Sequence, residues 1–358
     1  MTTPTRDAVS LGATDAVLDP GLFSQVPPGV PVKELTYREA IREALREEML
    51  RDPSVFLLGE DLGRHGGAFG VTRTLFDQFG PERVRDTPIS ENSIVGAATG
   101  AALVGMRPVV EIMFVDFSGL AIDQICTQAA KLRFMTGGQC QVPWVVRMPQ
   151  GGGAGKSIAA QHSQSLEVWY AHIPGLKVVL PSTPYDAKGL LKAAIRDDNP
   201  VVFLEQKFLY SFKGLVPEDE YVLPLGRCDT KRTGRDVTVI ASGVLVWYAM
   251  AAARSLAAEG IEVEVVDVRT ISPLDGDAIG RSARKTGRVV VAAEACLSYG
   301  PTAEWGMIAM EKAFEYLKAP IVRVAGRDAP IPFADSIERG CWPEVDDVVH
   351  AIRTVMAW

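Results

Sequence analysis

Two α/β domains in tandem are what this sequence predicts: a larger parallel sheet covered by helices on both faces, then a smaller α/β unit. Three observations predict them. Short apolar runs alternate with helix-like segments of about 10 to 15 residues, the pattern of strands buried on both faces. The alternation breaks only once, between about Phe208 and Arg235, into glycine, proline and charge (Lys213-Gly214, Val216-Pro217-Glu218-Asp219-Glu220, Lys231-Arg232). A chain of 358 residues is also long for one core. The expected organisation is an N-terminal arm over 1–32, a domain over 33–207, a linker over 208–235 and a second domain over 236–358.

In order along the chain, Thr36 and Glu39 have capping-box spacing, and Tyr37, Ala40, Ile41, Ala44 and Leu45 mark one apolar helix face. A buried strand over Val55–Leu58 follows and ends in Gly59-Glu60-Asp61. Further strands are expected at Arg83–Asp86, Pro108–Phe114, Trp144–Met148, Lys177–Leu180 and Val201–Glu205, with helices notably over Ile122–Met135 and Asp186–Arg196. After the linker come strands at Val237–Ala241, Glu262–Val268, Val289–Ala293 and Ile321–Val324. A helix between the first two, about Leu245 to Ala258, is stopped by Gly260.

Composition removes several functional classes. Lys and Arg number 37 against 44 Asp and Glu, a net charge of −7. Such a chain offers no general basic field to nucleic acid or to an anionic membrane surface. No apolar run approaches the roughly 20 residues that span a bilayer. The five cysteines (Cys126, Cys140, Cys228, Cys296, Cys341) are scattered without a C-x-x-C pair, which suits free thiols in a reducing cytoplasm and argues against zinc. In the first 32 residues Arg6 is the only basic residue and no apolar core occurs, so the arm reads as neither a secretory signal nor a mitochondrial presequence.

Several motifs point to chemistry, each with a plainer alternative. Gly151-Gly152-Gly153-Ala154-Gly155-Lys156-Ser157 resembles a P-loop, but the required first glycine falls on Gln150 and the spacing fails by one residue. It reads better as a side-chain-poor loop at the carboxyl end of a strand, where parallel sheets place their ligands. Glu91 ends the run Thr87-Pro88-Ile89-Ser90-Glu91 and opens a helix of small residues, Gly96-Ala97-Ala98-Thr99-Gly100, with Ser90 as its N-cap. By itself it reads equally as an acid offsetting the helix dipole at the surface. Glu60 ends the first buried strand and is either a site residue or a structural acid. His162, in Ala159-Ala160-Gln161-His162-Ser163-Gln164-Ser165, is one of four histidines, and a lone histidine is commonly only a hydrogen-bonded structural group. Phe117, in Met113-Phe114-Val115-Asp116-Phe117, serves equally as core. Ala194-Ile195-Arg196-Asp197-Asp198-Asn199 ends a helix whose carbonyls await partners.

Together these runs resemble the beta subunits of thiamine diphosphate-dependent 2-oxoacid dehydrogenases, of the pyruvate or acetoin type, in the transketolase-like family. The resemblance extends from about Lys33 to the C-terminus. It includes Ile173-Pro174-Gly175-Leu176-Lys177 through Pro181-Ser182-Thr183-Pro184-Tyr185-Asp186-Ala187-Lys188-Gly189, and also Pro273-Leu274-Asp275 and Lys285-Thr286-Gly287-Arg288. It implies a thiamine diphosphate-binding fold whose first domain is of the pyrimidine-binding type and whose second is of the transketolase C-terminal type. Glu91 would hydrogen-bond the aminopyrimidine and drive its tautomerisation, Phe117 would pack on that ring, and Glu60 would lie nearby. His162 would orient the substrate carbonyl and assist acyl transfer to a lipoyl group. A potassium ion would be held by carbonyls of Trp144, Ala194 and Ile195 and side chains of Asp197 and Asn199.

The family also implies partners. Magnesium and the diphosphate are held through Gly-Asp-Gly and a downstream Asn, and no Gly-Asp-Gly occurs in this chain; Leu274-Asp275-Gly276-Asp277 lacks the first glycine. An alpha subunit, in an α2β2 heterotetramer, is therefore implied to hold the metal, with a lipoyl-bearing dihydrolipoamide acyltransferase as acceptor. Two departures leave the substrate open: Asn92-Ser93 replace the usual Met-Gly after the glutamate, and the arm is long. A branched-chain 2-oxoacid dehydrogenase subunit and a two-chain transketolase-like enzyme are the alternatives. A catalytically silent docking module would need neither Glu91 nor His162.

Overall fold

The computed structural model describes residues 26, 29–152 and 158–358. Most of the N-terminal arm, and Gly153 to Ser157 of the glycine loop with Lys156, lie outside the described residues. Strands are numbered here in chain order.

The larger sheet has seven strands. From one edge to the other they run β12 (Thr270–Ser272), β6 (Lys177–Val179), β7 (Val201–Gln206), β5 (Val145–Gln150), β4 (Arg107–Glu111), β2 (Val55–Gly59) and β3 (Val84–Asp86). All neighbours are parallel except β12, which pairs antiparallel with β6. Strands β5 and β7 are buried at every residue, as expected of a sheet covered on both faces. The second sheet has five strands, in the order β14 (Val322–Gly326), β13 (Val289–Cys296), β10 (Val237–Ala241), β11 (Val263–Asp267) and β9 (Asp229–Arg232), with β9 the antiparallel edge. A two-stranded ribbon, β1 (Val32–Thr36) with β8 (Lys213–Pro217), completes the set among the described residues.

The predicted capping box is formed: the Glu39 amide donates to the Thr36 hydroxyl at 3.4 Å, and the Thr36 amide donates to the Glu39 carboxylate at 2.8 Å. The helix it starts, Tyr37–Arg51, buries Tyr37, Ala40, Ile41, Ala44 and Leu45 as the spacing requires, together with Glu48 and Met49. The helix Pro184–Arg196 starts two residues earlier than expected, with Thr183 capping the Asp186 amide at 3.1 Å.

Four features differ from the sequence reading. Residues Val32–Thr36, across the expected end of the arm and assigned no element, form a strand that pairs with Lys213–Pro217 inside the stretch read as linker; that stretch also holds β9. Both ribbon strands mix charge with apolar residues, so no clean alternation betrays them. Strand β4 stops at Glu111, and residues Val115–Ala121 form a tight 3₁₀ turn that aims Phe117. The helix expected over Ile122–Met135 is wound as a wide π turn over Asp123–Ala129 before becoming α-helical at Ala130–Met135. Finally, β12 leaves the second domain to close the edge of the first sheet.

The domains therefore share their interior. One apolar cluster contains Leu57 and Leu191 with Leu245 and Val265, and the other contains Val146 and Leu204 with Val266 and Trp305. No described helix is long and apolar enough to cross a membrane.

Candidate active site

Two acids meet at the carboxyl ends of adjacent parallel strands, where open α/β sheets collect ligands. Strand β2 closes on Gly59, where a Cβ would lie 2.7 Å from the Glu111 carbonyl oxygen, so only glycine allows this approach to β4. The Thr87 amide donates to the Gly59 carbonyl at 3.0 Å and draws the Thr87–Glu91 run alongside. Glu60 follows β2 directly, and Glu91 is the first residue of the helix Glu91–Leu103. That helix buries Glu91, Ile94, Val95, Ala98, Thr99 and Ala102 on one face.

Glu91 is 5% exposed, and its carboxylate receives no hydrogen bond from the described residues. Ser90 stands at the N-cap position, but its hydroxyl donates to the Ser93 hydroxyl at 2.9 Å instead of capping the helix. The first amides are thus left to the helix dipole, which favours negative charge at this end. The Glu60 carboxyl is raised above its usual range, first by burial and then by the negative charges of Glu91 and Asp61. Glu60 therefore lies within electrostatic reach of Glu91.

Phe117 and His162 form the second part. Their ring centroids lie 5.2 Å apart and nearly perpendicular, and Phe114 meets His162 edge-on at 4.7 Å. The 3₁₀ turn Val115–Ala121 packs on the helix that Glu91 opens, through the core containing Ile94, Val95 and Val115, with Phe117 against it. Three contacts fix the histidine run. Gln164 donates from its side chain to Asp116 Oδ1 at 2.9 Å, the Gly151 amide donates to the Gln164 carbonyl at 2.8 Å, and Lys207 Nζ donates to the His162 carbonyl. Ala159, three residues before His162, adopts φ +61°, a left-handed conformation costly for a residue with a side chain. Burial lowers Lys207 to about 8, with Asp116 and Glu294 acting in the opposite direction.

The start of the glycine loop is held from the second domain. The Gly152 amide donates to Glu294 Oε1 at 2.7 Å, Gln206 donates to the other oxygen, and a Cβ on Gly152 would lie 2.4 Å from the Trp342 ring. Glycine is thus needed for close packing, and its amide serves a carboxylate rather than a nucleotide phosphate. Burial raises Glu294 to about 7; the bonds from Gly152 and Gln206 pull it down, and Glu167 pushes it up.

The potassium candidates lie apart from this site, and each already accepts a hydrogen bond within the chain. Trp144 precedes β5 and Asn199 precedes β7, at the opposite, amino-terminal ends of the strands. The Trp144 carbonyl accepts from the Val201 amide at 3.0 Å, and that of Ala194 from the Asp197 amide at 3.3 Å. The Ile195 carbonyl accepts from Arg107 at 3.0 Å, Asn199 Oδ1 from Arg133 at 2.6 Å, and the Asp197 carboxylate from Lys177. Burial alone would raise Asp197, but the hydrogen bonds from Lys177 and Asn199 outweigh it and hold the carboxyl below its usual range. Arg107, Arg133 and Lys177 thus share these acceptors, at the place where the resemblance implies one metal cation.

Asp116, Lys207 and Glu294 escaped the sequence reading. Asp116 lay within a run already singled out, and a polar residue between Val115 and Phe117 was its available signal. Lys207 and Glu294 carried none, because the tertiary contacts that matter come from the glycine loop, the histidine run and β7.

The chain matches the family models "Transketolase, pyrimidine binding domain" over residues 33–213 and "Transketolase, C-terminal domain" over residues 226–348. It is 49% identical to pyruvate dehydrogenase E1 component subunit beta-2, mitochondrial, of Oryza sativa subsp. japonica, across 90% of this chain and 86% of that one. It is 48% identical to the 2-oxoisovalerate dehydrogenase subunit beta of Bacillus subtilis (strain 168), across 89% and 98%. The beta subunit of the acetoin:2,6-dichlorophenolindophenol oxidoreductase of Cupriavidus necator is 46% identical across 90% and 98%. Among solved structures, "Split gene transketolase, inactive beta4 tetramer" superimposes with a TM-score of 0.71 at 25% identity, covering 90% of this chain and 98% of that one. The chain belongs to the family of beta subunits of the 2-oxoacid and acetoin dehydrogenases, oxidoreductases built on transketolase-type pyrimidine-binding and C-terminal domains.

Proposed function

We propose that this chain provides the acid–base and aromatic half of a thiamine diphosphate site in an α2β2 dehydrogenase that decarboxylates a 2-oxoacid, or cleaves acetoin, and passes the acyl group to a lipoyl-bearing acyltransferase. The observation that carries the reading is Glu91: a buried carboxyl without a described hydrogen-bond donor, at the start of a helix whose Ile94 and Val95 share an apolar core with Phe117, the ring that meets His162. A desolvated, unpartnered carboxyl of this kind suits a ligand nitrogen with which it shares a proton. When bound, thiamine diphosphate supplies a nucleophilic carbon for the substrate carbonyl.

The residues of this chain have separable tasks. Glu91 holds or releases the proton shared with the pyrimidine, and Glu60, raised by burial and by the charges of Glu91 and Asp61, stands beside it. Phe117 offers a ring for packing, worth about 1 kcal/mol beyond area burial. His162, its backbone held by Lys207 and its ring by Phe114 and Phe117, orients the substrate carbonyl and moves protons during transfer to lipoyl. Magnesium and the diphosphate fall to the alpha subunit, since the Gly-Asp-Gly motif does not occur in this chain. The five cysteines are free thiols, which supports a reducing compartment, and we place the protein in the cytoplasm.

The test is Glu91→Gln in the complex reconstituted with its alpha subunit. Turnover should fall about 10²-fold or more while assembly, followed by sedimentation, is unchanged. Near-normal exchange of the cofactor's C2 proton in the variant would remove Glu91 from this role.

A further inference from the structure

The imidazole of His162 meets two ring edges, Phe114 at 4.7 Å and Phe117 at 5.2 Å between centroids, and has no hydrogen bond to its ring among the described residues. Both edges belong to one short segment, the 3₁₀ turn Val115–Ala121 and the residue before it. A ring held only by edges is oriented no better than the two segments are held together. The angle of the imidazole therefore depends on what ties this turn to the histidine run.

Asp116 supplies that tie. It sits in the turn one residue before Phe117. Its Oδ1 accepts from the Gln164 backbone amide at 3.3 Å and from the Gln164 side-chain amide at 2.9 Å, two residues past His162. Hydrogen bonds to a carboxylate are the stronger kind, and two from one residue fix direction as well as distance. Asp116 is half-buried, and its Oδ2 is shielded from solvent with no hydrogen-bond partner among the described residues. The same carboxylate is first among the acids that oppose the lowering of Lys207 by burial, ahead of Glu294 and Glu338, and Lys207 donates to the His162 carbonyl. Asp116 thus acts on both ends of the segment that carries the imidazole. The other ties lie further off: the Gly151 amide holds the Gln164 carbonyl at 2.8 Å, and the Tyr170 hydroxyl bonds Ser118 in the core beneath the turn. Ala159, at φ +61°, adds a strained backbone position that only the surrounding structure can hold in place.

We propose that Asp116 is a positioning residue: it clamps Gln164 to the aromatic turn, so that the His162 imidazole keeps its angle to the Phe117 ring and through it to the reacting carbonyl. It acts through His162 and not on the substrate. The inference rests on the reading of His162 given above and adds the group that makes this histidine effective. Hydrogen-bond acceptance is the operative property, and the negative charge is secondary. Lys207 keeps an N–H for the His162 carbonyl whether or not it carries its extra proton. A misplacement of about 1 Å in a group that must meet a reacting centre costs about 10²-fold in rate.

The test compares Asp116→Ala, Asp116→Asn, Gln164→Ala and the double variant Asp116→Ala/Gln164→Ala in the complex assembled with its alpha subunit. Asp116→Ala should lower kcat about 30- to 100-fold and leave KM within about threefold. Asp116→Asn keeps an acceptor for both Gln164 amides and should stay within about threefold of wild type. Gln164→Ala, at an exposed position, should lower kcat about tenfold, and the double variant should be no slower than Asp116→Ala, because both changes remove one interaction. Carbethoxylation of His162 by diethyl pyrocarbonate, followed by mass spectrometry, should be severalfold faster in Asp116→Ala and in Gln164→Ala, and unchanged in Asp116→Asn. The inference is overturned if Asp116→Asn is as slow as Asp116→Ala, if the loss falls on KM, or if the two alanine changes multiply. Should Asp116→Ala fail to fold, a normal kcat in Gln164→Ala overturns it equally. If the wild-type complex turns over neither a 2-oxoacid nor acetoin, the dehydrogenase reading fails, and the carbethoxylation pattern alone decides whether the clamp exists.

Discussion

His162 is oriented by two aromatic edges and by a lysine on its own carbonyl, with no carboxylate hydrogen-bonded to its ring among the described residues. Its side chain is therefore available to a ligand. His162→Ala should lower turnover about 10²-fold or more with both an artificial electron acceptor and a lipoyl domain, and leave the Tm within a few degrees. Full activity in both assays would make it a structural histidine. Glu294 permits a different test. Its folded pKa of about 7 stands above the roughly 4.3 of an unfolded glutamate. Between those values the folded protein keeps a proton that the unfolded chain has released. The stability this group contributes is complete below about pH 4.3 and is lost as pH rises towards 7. Glu294→Gln abolishes this titration, so the Tm of wild type should drop by a few degrees relative to the variant between pH 5 and 8. A constant difference would mean that Glu294 is ionised throughout.

At the scale of the element, what was legible in the sequence was what local chemistry determines. Thr36 and Glu39 form a capping box in any helix that begins there, and Val237–Ala241 is strand-like from its own side chains. The turn over Val115–Ala121 and the π winding after it keep an apolar spacing close to that of an α-helix, so periodicity alone could not separate them. The helix end at Ala194–Asn199 shows the same limit. The resemblance implied a potassium ion there, and nothing local announced that Arg107, Arg133 and Lys177 arrive from three other elements. Exchanging potassium for sodium at constant ionic strength should leave both kcat and the Tm of the assembled enzyme unchanged within error. A selective rise in either with potassium would show that the ion displaces these side chains.

Across the whole molecule, the junction of the domains is ionic as well as apolar. Lys231, with no exposed side-chain surface, bridges Asp186 of the first domain to Asp229 and Asp267 of the second, and Arg269 adds a second bond to Asp186 at 3.0 Å. Asp267 is raised to about 7, chiefly by burial and against the pull of Lys231. Removing one member of such a set costs about 3–5 kcal/mol, because an uncompensated charge stays buried. The strands of both large sheets could largely be read from the chain. Their joining could not: Lys231-Arg232 looked like linker charge, and nothing near Thr270 announced a partner in β6.

Strand β12 has a consequence for how the protein is made. A nascent chain that has left the ribosome only as far as β8 carries every other strand of the seven-stranded sheet, yet the edge of β6 has no neighbour. Val178 and Val179, fully buried in the finished protein, would then present unpaired backbone and apolar surface to whatever comes near. Half-synthesised molecules are the ones at risk, and they need either prompt completion or a chaperone. A fragment comprising residues 29–217 should therefore self-associate in sedimentation experiments at concentrations where the full chain does not. If that fragment is a folded monomer, the late strand is only a latch and the first domain is complete before it arrives.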